Sequence, residues 1–264
     1  MKLLLWLSYL GTAYCGYQVQ ANGPTVQEQL NRAALALFGC PCDIVGCSRT
    51  DSGVHANEFC AAVSERGQTG LRTRIPVGRI PLALSAHLPD DIAVFDARWV
   101  PDGFHPRYDV LGKEYLYRIC NRPVRSPFEL GRAYHLPRPV SDADLARMRA
   151  AAAHFVGTHD FSAYMASGSG IVDPVRTVYS SELERQGDLI LYRVCANGFL
   201  YHMVRILTGT LVAVAEGKLE PDDIPAVTAS RDRSRAGATM PPGGLYLNRV
   251  IYPGYLLRTG EGSR

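Results

Sequence analysis

Arg49-Thr50-Asp51-Ser52-Gly53-Val54-His55-Ala56 sets a carboxylate between a guanidinium and an imidazole, in a glycine-containing loop. The apolar run before it, Asp43-Ile44-Val45-Gly46-Cys47, reads as a short buried strand. Phe59-Cys60-Ala61-Ala62-Val63, after it, reads as another. Asp51 therefore stands where a strand gives way to a loop, a position at which rigid scaffolds display reactive groups. Taken alone, Arg-x-Asp-x-Gly describes a structural ion pair beside an Asx turn closed by Gly53. The longer string and its surroundings carry more.

Working outward, Thr25-Val26-Gln27-Glu28 is a capping box after Pro24. Val26, Leu30, Ala33, Ala34 and Leu37 then mark a helical stripe ending at Gly39. Ser141-Asp142-Ala143-Asp144 opens a second helix, with Leu145, Met148, Ala152 and Phe155 on one face and Gly157 as terminator. Residues 175–183 and 189–195 predict a hairpin around Gln186-Gly187-Asp188. A third helix is expected over 200–216, striped by Val204, Leu207, Leu211 and Val214, and a last strand over 245–252. Strands alternating with helices, with hairpins among them, imply an α+β fold of mixed or antiparallel sheets flanked by helices. The first two helices each follow strand-like sequence and end in an aromatic residue shortly before a glycine. This suggests two related α+β halves, residues 1–104 with the Asp51 loop and residues 105–264, parted near Pro101–Pro106.

At 264 residues, 47% hydrophobic and 20% charged, the chain has ordinary globular composition with enough length for a substantial core. A net charge of +3 names no partner. The basic residues are unevenly spread: between His105 and Arg138 there are seven Lys/Arg against three Asp/Glu. Only three of the 28 basic residues are lysines, a bias that suits bidentate phosphate contacts but follows equally from arginine-rich codon usage. Met1-Lys2-Leu3-Leu4-Leu5-Trp6-Leu7 is too short for a secretory leader and has Tyr14, not a small residue, before Cys15. No run is long enough to span a membrane. Seven cysteines, an odd count without a disulfide framework, point to a reducing cytoplasm. Cys40, Cys42, Cys47 and Cys60 lie near His55, but their spacing is not that of a zinc knuckle, so buried small hydrophobes and no metal are expected.

The opening string resembles the signature loop of the TruA family of tRNA pseudouridine synthases, usually Gly-Arg-Thr-Asp-Ala-Gly-Val-His-Ala. Four further stretches are similar, in the family's order: Tyr9–Gln18, Phe104–Arg107 with Lys113–Tyr117, Asn197–Arg205, and Gly244–Leu247. Together the motifs cover nearly the whole chain. The resemblance implies two α+β halves with joined sheets and a cleft between them, and the Phe104-to-Arg107 stretch as the hinge. It also implies a cytoplasmic, cofactor-free isomerase acting on the tRNA anticodon arm at positions 38, 39 and 40, and a homodimer. This chain departs from the family pattern at Leu10, Tyr17, Ser48, Ser52 and Pro106. None of these changes touches Asp51, Tyr115 or Arg205.

Isomerising uridine breaks the C1′–N1 bond, turns the uracil and joins C5 to C1′, which needs neither redox cofactor nor metal. It does need a carboxylate near the sugar, either to attack C1′ or to remove the 2′ proton. The resemblance places the catalytic aspartate at Asp51. It makes Arg49 a holder of the extruded nucleotide, and a cation two residues away also favours an ionised carboxylate. Tyr115 becomes the active-site tyrosine that stacks on uracil, although Lys113, Tyr115 and Tyr117 also read as one packed strand face. Arg205 is implied as a charge partner or phosphate ligand, and Leu245 as lining for the uracil pocket. Arg107, Lys113, Arg118, Arg122 and Arg125 are candidate RNA phosphate contacts. His55, His105 and His202 read as turn-fixing or RNA-contact residues rather than acid–base groups. Two rival readings are a catalytically silent RNA-binding protein of the same fold and a hydrolase built on Ser52, His55 and Asp51. The second is disfavoured because neighbours in one loop rarely reach triad geometry.

Overall fold

The computed structural model describes residues 1–168, 170 and 172–254, which form two compact units. One comprises Met1–Leu111 with residues 247–254, and the other Gly112–Tyr246.

In the first unit β1 (Lys2–Tyr9) is a continuous apolar run with Leu3, Leu4, Leu5 and Leu7 buried, as expected of a strand covered on both faces. The chain continues through α1 (Val26–Phe38), β2 (Cys42–Gly46), β3 (His55–Glu65), α2 (Ile80–Ser85) and β4 (Ile92–Val100). β1 lies antiparallel between β3 and β4, with Leu5 opposite both Ala61 and Ala97, and β2 pairs antiparallel with β3. α1 begins where its capping box predicts, the Thr25 hydroxyl accepting from the Glu28 N–H at 3.3 Å. It ends at Gly39, φ 72°, the left-handed value that glycine adopts at no steric cost. The Met1–Leu7 stretch is thus the opening of a core strand.

The second unit contains β5 (Gly112–Asn121), β6 (Tyr134–Leu136), α3 (Asp142–Ala153), β7 (Gly157–Asp160), β8 (Val175–Gln186), β9 (Leu189–Ala196), α4 (Met203–Ala215) and α5 (Ile224–Ser230). Its sheet runs β5-β9-β8-β7, all antiparallel, and β6 adds a parallel pairing to β5. The β8–β9 hairpin turns at Gly187, φ 57°. α3 has the full capping box between Ser141 and Asp144. It stops at Ala153, two residues short of the predicted stripe, because Phe155 donates its N–H to Ala152 in a tight closing turn. α4 starts at Met203 rather than Leu200, because His202 adopts a left-handed backbone, φ 59°. β10 (Leu245–Ile251) is the last strand, its residues from Leu247 lying beside β3 in the first unit. Both units are α+β, with antiparallel strands and, at β5–β6, a parallel pairing, the class expected from the sequence.

Tyr17, where the family pattern has tryptophan, is 2% exposed and stacks on Phe59 with ring centroids 4.3 Å apart. Its hydroxyl is buried with no hydrogen-bond partner, and burial pushes the phenol well above its usual range. An unpaired buried hydroxyl loses its water without replacement. Tyr17→Phe is therefore expected to stabilise the protein by about 1 kcal/mol, raising Tm by about 2–4 °C. Thermal unfolding checks this, and a lower Tm in the variant would show that the hydroxyl is satisfied in solution.

Candidate active site

Between β2 and β3 the Asp51 carbonyl accepts the Val54 N–H at 3.1 Å, closing a four-residue turn. Gly53 is its third residue, with φ 77°, the left-handed value that a type II turn demands there. The 9–17 stretch is laid against this turn by a run of hydrogen bonds. The Gly11 N–H donates to His55 Nδ1 at 2.9 Å. The Gly53 N–H and the Ser52 hydroxyl both donate to the Tyr14 carbonyl, at 3.3 and 3.2 Å. The Tyr17 N–H donates to the Thr50 carbonyl at 3.2 Å, and the Tyr9 and Thr50 hydroxyls are 2.8 Å apart. A Cβ on Gly11 would lie 1.9 Å from the Val54 carbonyl oxygen, and one on Gly16 (φ 88°) 2.5 Å from that of Thr50. Glycine is needed at both positions because two backbones meet there. The Asp51 backbone is thus held from both sides, and the residue stays partly exposed.

Thr50 is buried beneath the loop, and Arg49 next to it is exposed, as neighbours in extended backbone alternate. His55 is fully buried, and its acceptor role toward Gly11 places the ring proton on Nε2. The Ser52 hydroxyl donates to the Tyr14 carbonyl and His55 Nδ1 accepts from Gly11, so the hydrolase reading lacks its serine–histidine bond among the described contacts. Gly11 and His55 are 44 residues apart, and no local pattern pairs them.

The second group of candidates lies in the other unit. Tyr115 on β5 is 8% exposed and meets the half-exposed Phe199 edge-to-face, centroids 4.9 Å apart at 80°. Such a contact fixes the plane of the tyrosine ring. Tyr117, on the same strand face, is fully buried and donates its hydroxyl to the Pro241 carbonyl at 2.7 Å. Arg205, in the first turn of α4, donates through Nε to the Met240 carbonyl at 2.6 Å and accepts the Met240 N–H at its own carbonyl. Burial pushes the Tyr117 phenol above its usual range, and the neighbouring Arg205 guanidinium pulls against that shift. The turn at Pro241-Pro242-Gly243-Gly244 then delivers Leu245, 6% exposed, to the start of β10. Gly244 is required in it, since a Cβ would come within 2.7 Å of the Tyr117 ring. Tyr117, Arg205 and the 240–245 turn are therefore one knit cluster. Phe199 is the side chain that sequence reasoning passed over, although it is the aromatic of the Asn197-Gly198-Phe199 motif. The left-handed conformation of His202 costs about 1–2 kcal/mol for a residue with a Cβ, and its ring stacks on Tyr201 at 3.8 Å.

The five RNA-contact candidates divide by environment. Arg107 and Arg125 are exposed, and Lys113 is half-buried on β5. Arg122 lies 3.4 Å from Asp188. Arg118 is committed elsewhere: it grips both oxygens of Glu129 at 3.0 and 2.9 Å, and its guanidinium lies 5.6 Å from the Tyr246 ring centre. A part-buried pair in which one guanidinium nitrogen, Nη2, bridges both carboxylate oxygens holds the 122–132 loop to the strand and leaves little of Arg118 for phosphate. Cys42, Cys47 and Cys60 are buried free thiols, and burial pushes Cys42 up to about 12. Among the described residues no three His, Cys, Asp or Glu side chains are grouped to hold a metal, and no helix is long and apolar enough to cross a membrane.

A family profile described as "tRNA pseudouridine synthase" matches residues 151–253. The tRNA pseudouridine synthase A of Thermoanaerobacter sp. (strain X514) is 42% identical over 251 residues, covering 95% of this chain and 99% of that protein. That of Acetivibrio thermocellus is 42% identical over 249 residues, covering 94% and 98%. The Bacillus pumilus protein of the same name is 41% identical over 257 residues, covering 96% and 99%. With identity of this order over nearly the full length of both partners, this chain belongs to the tRNA pseudouridine synthase A (TruA) family.

Proposed function

We propose that the chain isomerises uridine to pseudouridine in tRNA, with Asp51 as the catalytic carboxylate. The observation that carries this reading is a part-exposed Asp51 on a turn braced by Gly11 and Gly16, in a chain of this family. The reaction balances within the nucleoside and solvent. The C1′–N1 bond breaks, the C1′–C5 bond forms, C5 loses its proton to water and N1 gains one. Asp51 either attacks C1′ or takes the 2′ proton, and both routes require it ionised. A stacked base must first be flipped out at a cost of a few kcal/mol. The exposed guanidinium of Arg49 is suited to holding the phosphate of the extruded nucleotide. Tyr115, its plane fixed by Phe199, stacks on the uracil, with Leu245 lining the pocket and Arg205 as a charge partner or phosphate ligand. Arg107, Lys113, Arg122 and Arg125 are proposed as phosphate contacts, whereas Arg118 serves Glu129 first.

The proposed targets are positions 38, 39 and 40 of the anticodon arm, and the enzyme is proposed to work as a cytoplasmic homodimer without cofactor. Tritium release from tRNA labelled at uracil C5 tests the reaction. The wild-type chain is expected to release label from anticodon-arm uridines with no added metal. Tight tRNA binding without release would sink the catalytic reading and leave a silent RNA-binding protein.

A further inference from the structure

The segment Phe104–Asp109 is pinned at nearly every backbone group while two of its side chains stand in water. Phe104 is buried edge-on against Tyr252, centroids 5.3 Å apart, and its carbonyl accepts from Lys2 Nζ at 2.9 Å. Pro106 is buried, its carbonyl taking the Tyr252 hydroxyl at 2.6 Å. The Asp109 carboxylate accepts the His105 N–H at 2.8 Å, and the His105 carbonyl accepts the N–H groups of Tyr108 and Asp109. Proline at 106, a departure from the family pattern, therefore sits in a rigid knuckle and not at a flexible joint. From that knuckle Tyr108 projects, 74% exposed. The His105 ring backs it at 4.2 Å with 31° between planes, and that ring is itself oriented by the Arg107 N–H donating to Nδ1 at 3.2 Å. The exposed Arg107 guanidinium lies 6.0 Å from the Tyr108 ring centre.

An aromatic face in water is unfavourable unless a partner covers it, and fixing its orientation beforehand removes the entropy cost of capture. Proteins read unpaired RNA by stacking its bases on aromatic rings and meeting its phosphates with arginine. We propose that Tyr108 is a stacking platform for an unpaired base of the RNA substrate, with Arg107 neutralising the adjoining phosphate. This rests on the tRNA reading above. The exposed side chains here are one ring and one cation, the two chemistries of a nucleotide, which favours RNA over a protein surface as the occupant.

The test compares wild type, Tyr108→Ala, Tyr108→Phe and Arg107→Gln, by tRNA affinity across a salt series and by KM and kcat for tritium release. Tyr108→Ala is expected to weaken binding and raise KM by about 10- to 100-fold while kcat stays within about twofold of wild type. Tyr108→Phe retains the ring and is expected to restore binding. Arg107→Gln is expected to lower the salt slope of log Kd by about one, a change that Tyr108→Ala does not produce. Wild-type affinity in Tyr108→Ala, or equal damage from Tyr108→Phe, overturns the platform. So does a shift in subunit association with unchanged RNA affinity, which marks the face as a protein contact. Wild type supplies the separation from the parent reading: if it releases tritium and Tyr108→Ala binds equally well, only the platform fails.

Discussion

Asp51→Asn is expected to lower tritium release by about 10⁴-fold or more, while tRNA affinity stays within about threefold and Tm within about 2 °C. The amide is nearly isosteric, and the turn is closed by the Asp51 backbone carbonyl rather than its side chain, so the 3.1 Å bond from the Val54 N–H survives. The anchors around it, Thr50 to Tyr9 and Ser52 to Tyr14, are untouched. A neutral carboxamide neither attacks C1′ nor removes a proton, so either chemical route stops. Single-turnover tritium release alongside equilibrium tRNA binding reads both quantities on one preparation. Equal release by wild type and variant would remove Asp51 from the mechanism altogether.

Gly11→Ala should produce a large loss of stability. The new methyl group would start 1.9 Å from the Val54 carbonyl oxygen and 2.6 Å from its carbon, both backbone atoms with no rotamer to escape into. Relief requires the 11–17 segment to lift from the turn, which stretches the Gly11 bond to His55 and the Gly53 and Tyr17 bonds alongside it. Overpacking a tight site costs about 3 kcal/mol, which corresponds to a fall in Tm of about 6–12 °C in a chain of this size. Activity is expected to fall further than stability alone accounts for, because a displacement of about 1 Å in a reacting group costs about 100-fold. Gly78→Ala, where a Cβ meets nothing within 4 Å, is the control and should stay within about 0.5 kcal/mol of wild type. Comparable Tm values for the two variants would mean that the 11–17 segment yields freely.

Elements with a local cause were legible. α1 and α3 begin at their capping boxes, and the β8–β9 hairpin turns at Gly187, because a side-chain cap or a left-handed glycine acts within four residues. The end of α3 and the start of α4 were misjudged by two or three residues, since a hydrophobic stripe continues past the point where backbone hydrogen bonds change pattern. α2 and α5, at six and seven residues, are too short for a helical period to register. In the site, the Asp51 loop and the packed role of Tyr117 were readable from the motif strings. The capture of Arg118 by Glu129, eleven residues on, was not, because ion pairing depends on where the 122–132 loop folds back.

The order of residues alone determined the α+β class, the strand-to-loop setting of Asp51 and the chemistry open to a carboxylate there. Tertiary structure alone decided that His55 is a brace for Gly11, that Arg49 is exposed beside a buried Thr50, and that Tyr108 is presented on a rigid knuckle. The physical reason is range. Caps, turns and periodicity act between near neighbours, whereas these outcomes depend on segments brought together by sheet register and close backbone packing.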